Sequence, residues 1–375
     1  MIAPEDFVAW LAEHGVSRYA GVPDSLLSPL IESLEASTST DHVVAANEGG
    51  AVGYAIGAFL ESGRLCAVYM QNSGLGNAVN PLIALAHEKV YGIPMVLIIG
   101  WRGEPGRDDE PQHLVQGQVT RSLLDSLDIP SIILETDSPK ARPQIHGFLS
   151  EAATASRPMA IIVRNKTFTR PDDSIELKGG SSLSREEALE AVAQQIPNNS
   201  RVVATTGMLG RELWELRERA SASHQNDFLA VGGMGHASSI ALGIAEANPN
   251  MTVWCLDGDG AILMHLGSLA VIGQRKPANL RHVVFNNFAH DSVGGQTTAM
   301  RSVDTKKLIQ GLGYTWLGSA TTSAETSKLA AELAAGNGPG LVEVRIRTGA
   351  RSNLGRPSPT IFAPRAQFLD EKEHD

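Results

Sequence analysis

An apolar run, Val253-Trp-Cys-Leu256, breaks off into the acidic, glycine-flanked turn Asp257-Gly-Asp-Gly260. A second apolar run, His282-Val-Val-Phe285, ends in the paired amides Asn286-Asn287, and 261–274 between them has helical character. Strand, helix and strand in that order confine this stretch to a parallel unit. Both strands then end at the same edge of one sheet, where ligands bind in open α/β folds. Such a unit gathers the Asp259 carboxylate and the Asn287 amide beside N–H groups at a helix start. Hard oxygen donors suit Mg²⁺, and helix-start N–H groups suit a phosphate. A magnesium-bound diphosphate is the simplest occupant of both.

Similar alternation runs through the rest of the chain. Strand-like runs occupy 18–21, 41–47, 66–70, 95–99, 131–135 and 160–163, then 201–205, 228–231, 253–256, 282–285 and 340–345. Helix-like stretches lie between them, at 3–14, at 26–34 with Asp24 or Ser25 as candidate cap, at 48–60 and at 140–155. The series predicts an α/β protein of two doubly wound parallel-sheet domains, 1–170 and 184–375, joined by a linker at 171–183. With 375 residues each domain has chain enough for its own core, and nothing is left for a middle domain. Ser184-Arg-Glu-Glu187 has capping-box spacing and opens the second half. The Gly- and Asn-rich 72–77 reads as a turn. The stretch 101–118, polar and aperiodic, reads as a long loop.

Formal net charge is −10, with no basic-aromatic patch, which argues against nucleic acid as a partner. The longest apolar stretch, 51–60, is too short to cross a bilayer, and the N-terminus lacks the basic start of a signal peptide. The two cysteines, Cys66 and Cys255, sit in apolar strands and read as buried thiols rather than a disulfide or a zinc site. A cytoplasmic enzyme is expected.

The Gly-Asp-Gly…Asn-Asn pattern resembles the cofactor signature of thiamine diphosphate enzymes. Asn47-Glu48, opening a small-residue helix, resembles their cofactor-activating glutamate, and Gly232-Gly-Met-Gly235 resembles the segment that bends the cofactor. Gly21-Val-Pro-Asp-Ser-Leu-Leu27, Asp109-Glu-Pro-Gln-His113, Thr205-Thr-Gly207, His290-Asp-Ser-Val-Gly-Gly-Gln296 and Leu354-Gly-Arg-Pro357 are similar to segments of the phosphonopyruvate decarboxylases and their sulfopyruvate-specific kin. Phe288 departs from the small residue usual in that family. The resemblance implies the thiamine diphosphate-binding fold, with a pyrimidine-binding first domain and a diphosphate-binding second. It also implies thiamine diphosphate and Mg²⁺ as cofactors, and decarboxylation of 3-phosphonopyruvate to phosphonoacetaldehyde in phosphonate biosynthesis. The alternatives are sulfopyruvate as substrate, or carboligation.

Residue by residue, the resemblance assigns Glu48 to the aminopyrimidine, where a plainer reading is a helix-start acid favoured by the macrodipole. Asp259, Asn287 and the Ala289 carbonyl would hold Mg²⁺, although Asp259 alone reads as a helix cap and Asn287 as a turn residue. Thr206, Gly207, Gly258, Gly260 and Ala261 would contact the diphosphate. Met234 would wedge between the cofactor rings, with the Gly232 carbonyl accepting from the amino group. A small anionic 2-oxo acid needs several donors, for which Asp24, Ser25, His113, His290, Ser292, Gln296 and Arg356 are candidates, with Arg102 as a further cation. His113 and His290 could shuttle protons. One cofactor must reach both Glu48 and Asp259, and in enzymes of this type it does so between domains of different subunits, so at least a homodimer is expected.

Overall fold

The computed structural model describes residues 1–150, 152, 154–170, 181–355 and 368. Most of the expected linker and the candidate Arg356 lie outside them. The chain divides into two compact units, Met1–Ile175 and Glu176–Asp375.

The first unit runs α1 (Pro4–Ala12), β1 (Arg18–Gly21), α2 (Ser28–Ala36), β2 (Asp41–Val44), α3 (Glu48–Ser62), β3 (Cys66–Gln71), α4 (Leu75–Pro81), β4 (Met95–Gly100), α5 (Pro111–Ser126), β5 (Ser131–Ile133), α6 (Ser138–Leu149) and β6 (Pro158–Val163). Its strands form one parallel sheet in the order β2-β1-β3-β4-β6-β5. All six residues of β4 are buried, as are all six of β6, because helices cover both faces of the sheet. Two apolar layers result, one around Phe7, Leu30, Tyr69 and Ile161, the other around Val52, Met70, Leu97 and Leu124.

The second unit runs α7 (Arg185–Ala193), β7 (Arg201–Ala204), α8 (Met208–Arg219), β8 (Asp227–Leu229), α9 (Ala237–Ala247), β9 (Val253–Gly258), α10 (Asp259–Met264), α11 (Gly267–Arg275), β10 (Leu280–Asn286), α12 (Thr305–Gly311), β11 (Thr315–Ala320), α13 (Ser323–Ala335) and β12 (Gly340–Arg345). Its sheet order is β11-β12-β10-β9-β7-β8, also parallel. Strand for strand this repeats the winding of the first unit. Both free cysteines are buried, Cys66 in β3 and Cys255 in β9.

Several expectations change. Residues 72–77 are no turn: a 3₁₀ segment, Asn72–Gly74, runs straight into α4. The supposed loop 101–118 gives way to α5 at Pro111, so His113 lies in a helical first turn. The helix escaped notice because its buried positions are Gly117, Thr120 and Leu124 while Leu114, Val115 and Val119 face outward, which inverts the usual pattern. Helix α2 starts at Ser28 rather than residue 26, because the Asp24 carboxylate takes up Leu26 N–H and holds a turn there; neither Asp24 nor Ser25 is the cap. The expected helix 261–274 is two helices broken at His265, and α12, β11 and α13 fill a stretch assigned no element.

Candidate active site

In each unit the chain leaves the first strand outward, to β2 or β8, then returns to the opposite side, at β3 or β9. That reversal opens a crevice at the carboxyl ends of β1 and β3, and of β7 and β9. The candidate residues described follow the carboxyl ends of these strands or of their neighbours β2, β4, β8 and β10.

In the first unit Asn47 caps α3, its side chain accepting Gly50 N–H at 2.7 Å. The next residue, Glu48, is only 5 % exposed. Its Oε2 accepts from Asn77 Nδ2 at 2.7 Å, and Gly74 is pressed so close that a Cβ there would stand 2.3 Å from Glu48 Oε1. Burial pushes the carboxyl above its ordinary pKa, and the Asn77 bond partly opposes that. Burial thus favours the protonated form of this acid more than a macrodipole-stabilised surface glutamate would allow. Gly74 and Asn77, both in the stretch taken for a turn, were not singled out from the sequence.

The remaining first-unit candidates form one cluster. Asp24 is fully buried, its Oδ1 has no partner, and burial raises its pKa to about 6. Ser25 Oγ accepts from Arg102 Nη1 at 3.2 Å. Arg102 forks onto Asp109, with Nε to Oδ2 at 2.9 Å and Nη2 to Oδ1, and His113 Nδ1 lies 3.0 Å from the same Oδ1. Buried Asn72 ties the cluster to Glu48: its amide clasps the Arg102 main chain on both sides, and two residues on is the Gly74 that packs on Glu48. Asp109 opens a segment that resembles the family's but was given no role there, and Asn72 lies in the stretch read as a turn.

In the second unit Asp259 is the first residue of α10, 2 % exposed. Burial lifts its carboxyl to about 6 against the N–H groups of Asp259, Gly260 and Asn287 and the Thr298 hydroxyl, which all bond it. Asn287 Oδ1 accepts Ala289 N–H at 3.0 Å. Asn286 points the other way, into a buried bond from its Nδ2 to Glu343, and is structural. Phe288 takes φ +58°, a region that favours glycine, and its ring packs on an apolar layer.

A Cβ on Gly260 would come within 3.1 Å of the His290 ring and 3.3 Å of Met234 Cε, so these two side chains cover the first turn of α10. His290 is kept neutral by burial, its pKa lowered to about 4. Gly207, with φ +100°, caps α8 and faces Ser292. Thr206 spends its hydroxyl on the Val231 carbonyl at 3.1 Å, leaving main-chain groups for a ligand. Gly232 is exposed, just ahead of Met234. Gln296 is buried with neither amide atom bonded, folded back onto Gly294 in its own loop. Thr298, which holds Asp259, gave no sequence signal.

This donor set fits magnesium diphosphate. A buried carboxylate with a raised pKa gains from a cation, the neighbouring donors are hard oxygens, and close main-chain approach is kept open at Gly207 and Gly258. The group formed by Cys255, Asp257 and His282, whose ligand atoms lie within 4.8 Å of one another, is buried on adjacent strands β9 and β10.

Residues 1–125 match the thiamine pyrophosphate enzyme N-terminal TPP-binding domain, and residues 205–344 match the C-terminal TPP-binding domain of the same enzymes. The two units are therefore the two cofactor-binding halves of a thiamine pyrophosphate enzyme. Similarity extends along the whole chain to a phosphonopyruvate decarboxylase of Streptomyces viridochromogenes, 38 % identical over 96 % of this chain and 92 % of that protein. A second, from Streptomyces hygroscopicus, is 36 % identical over 95 % and 90 %. Sulfopyruvate decarboxylase subunit alpha of Methanococcus maripaludis is 32 % identical over 44 % of this chain and 95 % of its own. The chain belongs to the phosphonopyruvate decarboxylase family of thiamine pyrophosphate enzymes. No described helix is long and apolar enough to cross a membrane.

Proposed function

We propose that this chain catalyses the non-oxidative decarboxylation of 3-phosphonopyruvate to phosphonoacetaldehyde and CO₂, with thiamine diphosphate and Mg²⁺. One observation carries the reading: Glu48 is a buried carboxyl at a helix start, kept in place by Asn77 and by the missing side chain of Gly74. An acid so held would bond the aminopyrimidine when the cofactor is present, and burial favours its protonated form. The bound cofactor supplies the electron sink that loss of CO₂ from a 2-oxo acid needs.

The chain's own residues orient and protonate. Asp259, Asn287 and the Ala289 carbonyl would hold the metal, while N–H groups of the Thr206–Gly207 and Gly258–Ala261 segments would receive the diphosphate. Met234 would pack against the cofactor rings and the Gly232 carbonyl would accept from the amino group. Asp24, Ser25 and His113 of the first unit, and His290, Ser292 and Gln296 of the second, are the side chains each unit would offer to substrate, with the Arg102 guanidinium bonded to Ser25 in the first-unit group. Phosphonopyruvate as the substrate is supported by relatives that match along the full length. A homodimer or larger homo-oligomer is supported by apolar side chains left open on the first unit, among them Tyr91 at 72 % exposure and Val115 at 68 %.

Aldehyde formation from phosphonopyruvate, with and without thiamine diphosphate and Mg²⁺, tests the proposal. Activity should require both, and Glu48→Gln should lower kcat at least about 100-fold with the fold intact. Turnover of Glu48→Gln like that of the parent would remove the role given to that acid. The match to sulfopyruvate decarboxylase favours sulfopyruvate as the second reading, and a higher kcat/KM for it in a parallel assay would reverse the preference.

A further inference from the structure

Asp109 lies in the loop from β4 to α5 and gathers donors from both of its ends. Its carboxylate accepts from the Arg102 side chain, from Gly103 N–H at 2.7 Å, from Glu110 N–H at 2.8 Å and from His113 Nδ1 at 3.0 Å. We propose that Asp109 is a positioning residue that fixes the tautomer of His113 and the heading of Arg102, so that the imidazole enters the reaction as a proton acceptor at Nε2. This rests on the reading of the first-unit cluster as part of the substrate site.

The inference follows from counting protons. A guanidinium fork and two main-chain N–H groups hold the Asp109 carboxyl well below the usual range, so it is ionised and has no proton to give. The hydrogen between Asp109 Oδ1 and His113 Nδ1 therefore belongs to the histidine. Burial lowers the pKa of the imidazole, which Asp109 raises and Arg102 lowers further, so the ring is neutral at pH 7.5 and carries a single proton. With that proton on Nδ1, Nε2 is bare. It can take a proton from a hydroxyl but cannot donate to a carbonyl. An imidazole free in water favours the opposite tautomer, so the carboxylate sets the ring's role.

The same carboxylate aims the only cation in the cluster. With Nε and Nη2 spent on Asp109, Arg102 turns Nη1 to Ser25 Oγ at 3.2 Å. Its main chain is clasped by Asn72, and Asn72 in turn is bonded by Gln116 and Thr120 of α5. One anionic side chain thus links a helix, two strand ends and both polar groups.

The test is the tautomer itself, read from two-bond ¹H–¹⁵N spectra of the thiamine diphosphate–Mg²⁺ holoenzyme labelled with imidazole-¹⁵N histidine at pH 7.5. The His113 signals are assigned by their loss in His113→Gln. Expected are a protonated Nδ1 and a bare Nε2. A His113 protonated on Nε2, or on both nitrogens, overturns the proposal without reference to any substrate. In Asp109→Asn, Gly103 N–H and Arg102 Nε should keep the amide oxygen at the Oδ2 position, which leaves the NH₂ at the Oδ1 position facing His113 Nδ1 and drives the imidazole proton to Nε2. That variant should keep its secondary structure, lose about 100-fold in kcat and raise KM several-fold as Arg102 loosens, as tautomer reversal predicts. An unchanged tautomer with unchanged kcat in Asp109→Asn would also overturn it. If phosphonopyruvate yields no aldehyde while the tautomer is as expected, the positioning role stands and the substrate proposal alone falls.

Discussion

Asp24 shows how much a single side chain can be forced to carry. Its carboxyl is fully buried, with Gly100 so close that a Cβ there would stand 2.1 Å from Oδ2, and burial raises its pKa to about 6. The folded chain then holds this proton more tightly than the unfolded chain, whose aspartates titrate near 3.9. The group's contribution to stability is intact below about pH 4, is lost as pH rises, and is wholly lost above about pH 6. Asp24→Asn removes the titration. Relative to the parent it should gain stability across that window, levelling off at a difference on the order of 2–3 kcal/mol, readable in melting temperatures from pH 4 to 8. A difference independent of pH would show that Asp24 is not held protonated. At this scale the sequence was a partial guide. Motifs pointed to Glu48, Asp259 and Asn287, because acids and amides at strand ends have a recognisable order. Asn77 and Gly74 act on Glu48, and Thr298 on Asp259, from distant segments, and no local pattern announces a partner that only folding brings near.

Elements were legible where propensity and burial agree. Strands β1 and β12 lie where the apolar runs put them, and the capping box at Ser184 is formed, its hydroxyl accepting Glu187 N–H while the Glu187 carboxylate accepts Ser184 N–H at 2.9 Å. Ser184→Ala should cost about 1 kcal/mol, which in a unit of this size is a fall of roughly 2–4 °C in its melting transition, measurable by calorimetry. Elements escaped notice where the two disagree. Helix α5 hides glycine and threonine and shows valine. Strand β11, an edge strand, is mostly half-exposed and contains Gly318, so its alternation is weak.

For the molecule as a whole, metal and cofactor should act as ligands of the folded state. Asp259 is a buried carboxylate held by N–H groups and a hydroxyl, and Mg²⁺ with thiamine diphosphate would relieve the cost of its charge. Adding both should raise the melting temperature in proportion to the logarithm of cofactor concentration, and a chelator should reverse the gain. Asp259→Asn should abolish that response and, because it removes a carboxyl that burial raises to about 6, should keep or raise the cofactor-free transition near neutral pH. The division into two parallel-sheet halves was readable because βα alternation leaves long-range traces in composition; the oligomer those halves build was not, since exposed apolar side chains on one chain name no partner.

The repeated strand order has a consequence for how such a chain can be encoded. Each sheet closes its own pair of apolar layers without borrowing a strand from the other, so the peptide bond joining them is dispensable to either. Two separate open reading frames, divided within 171–183 and translated together, should yield a pair of polypeptides that each acquire their helical circular dichroism, and mixing them should restore whatever turnover the continuous chain has.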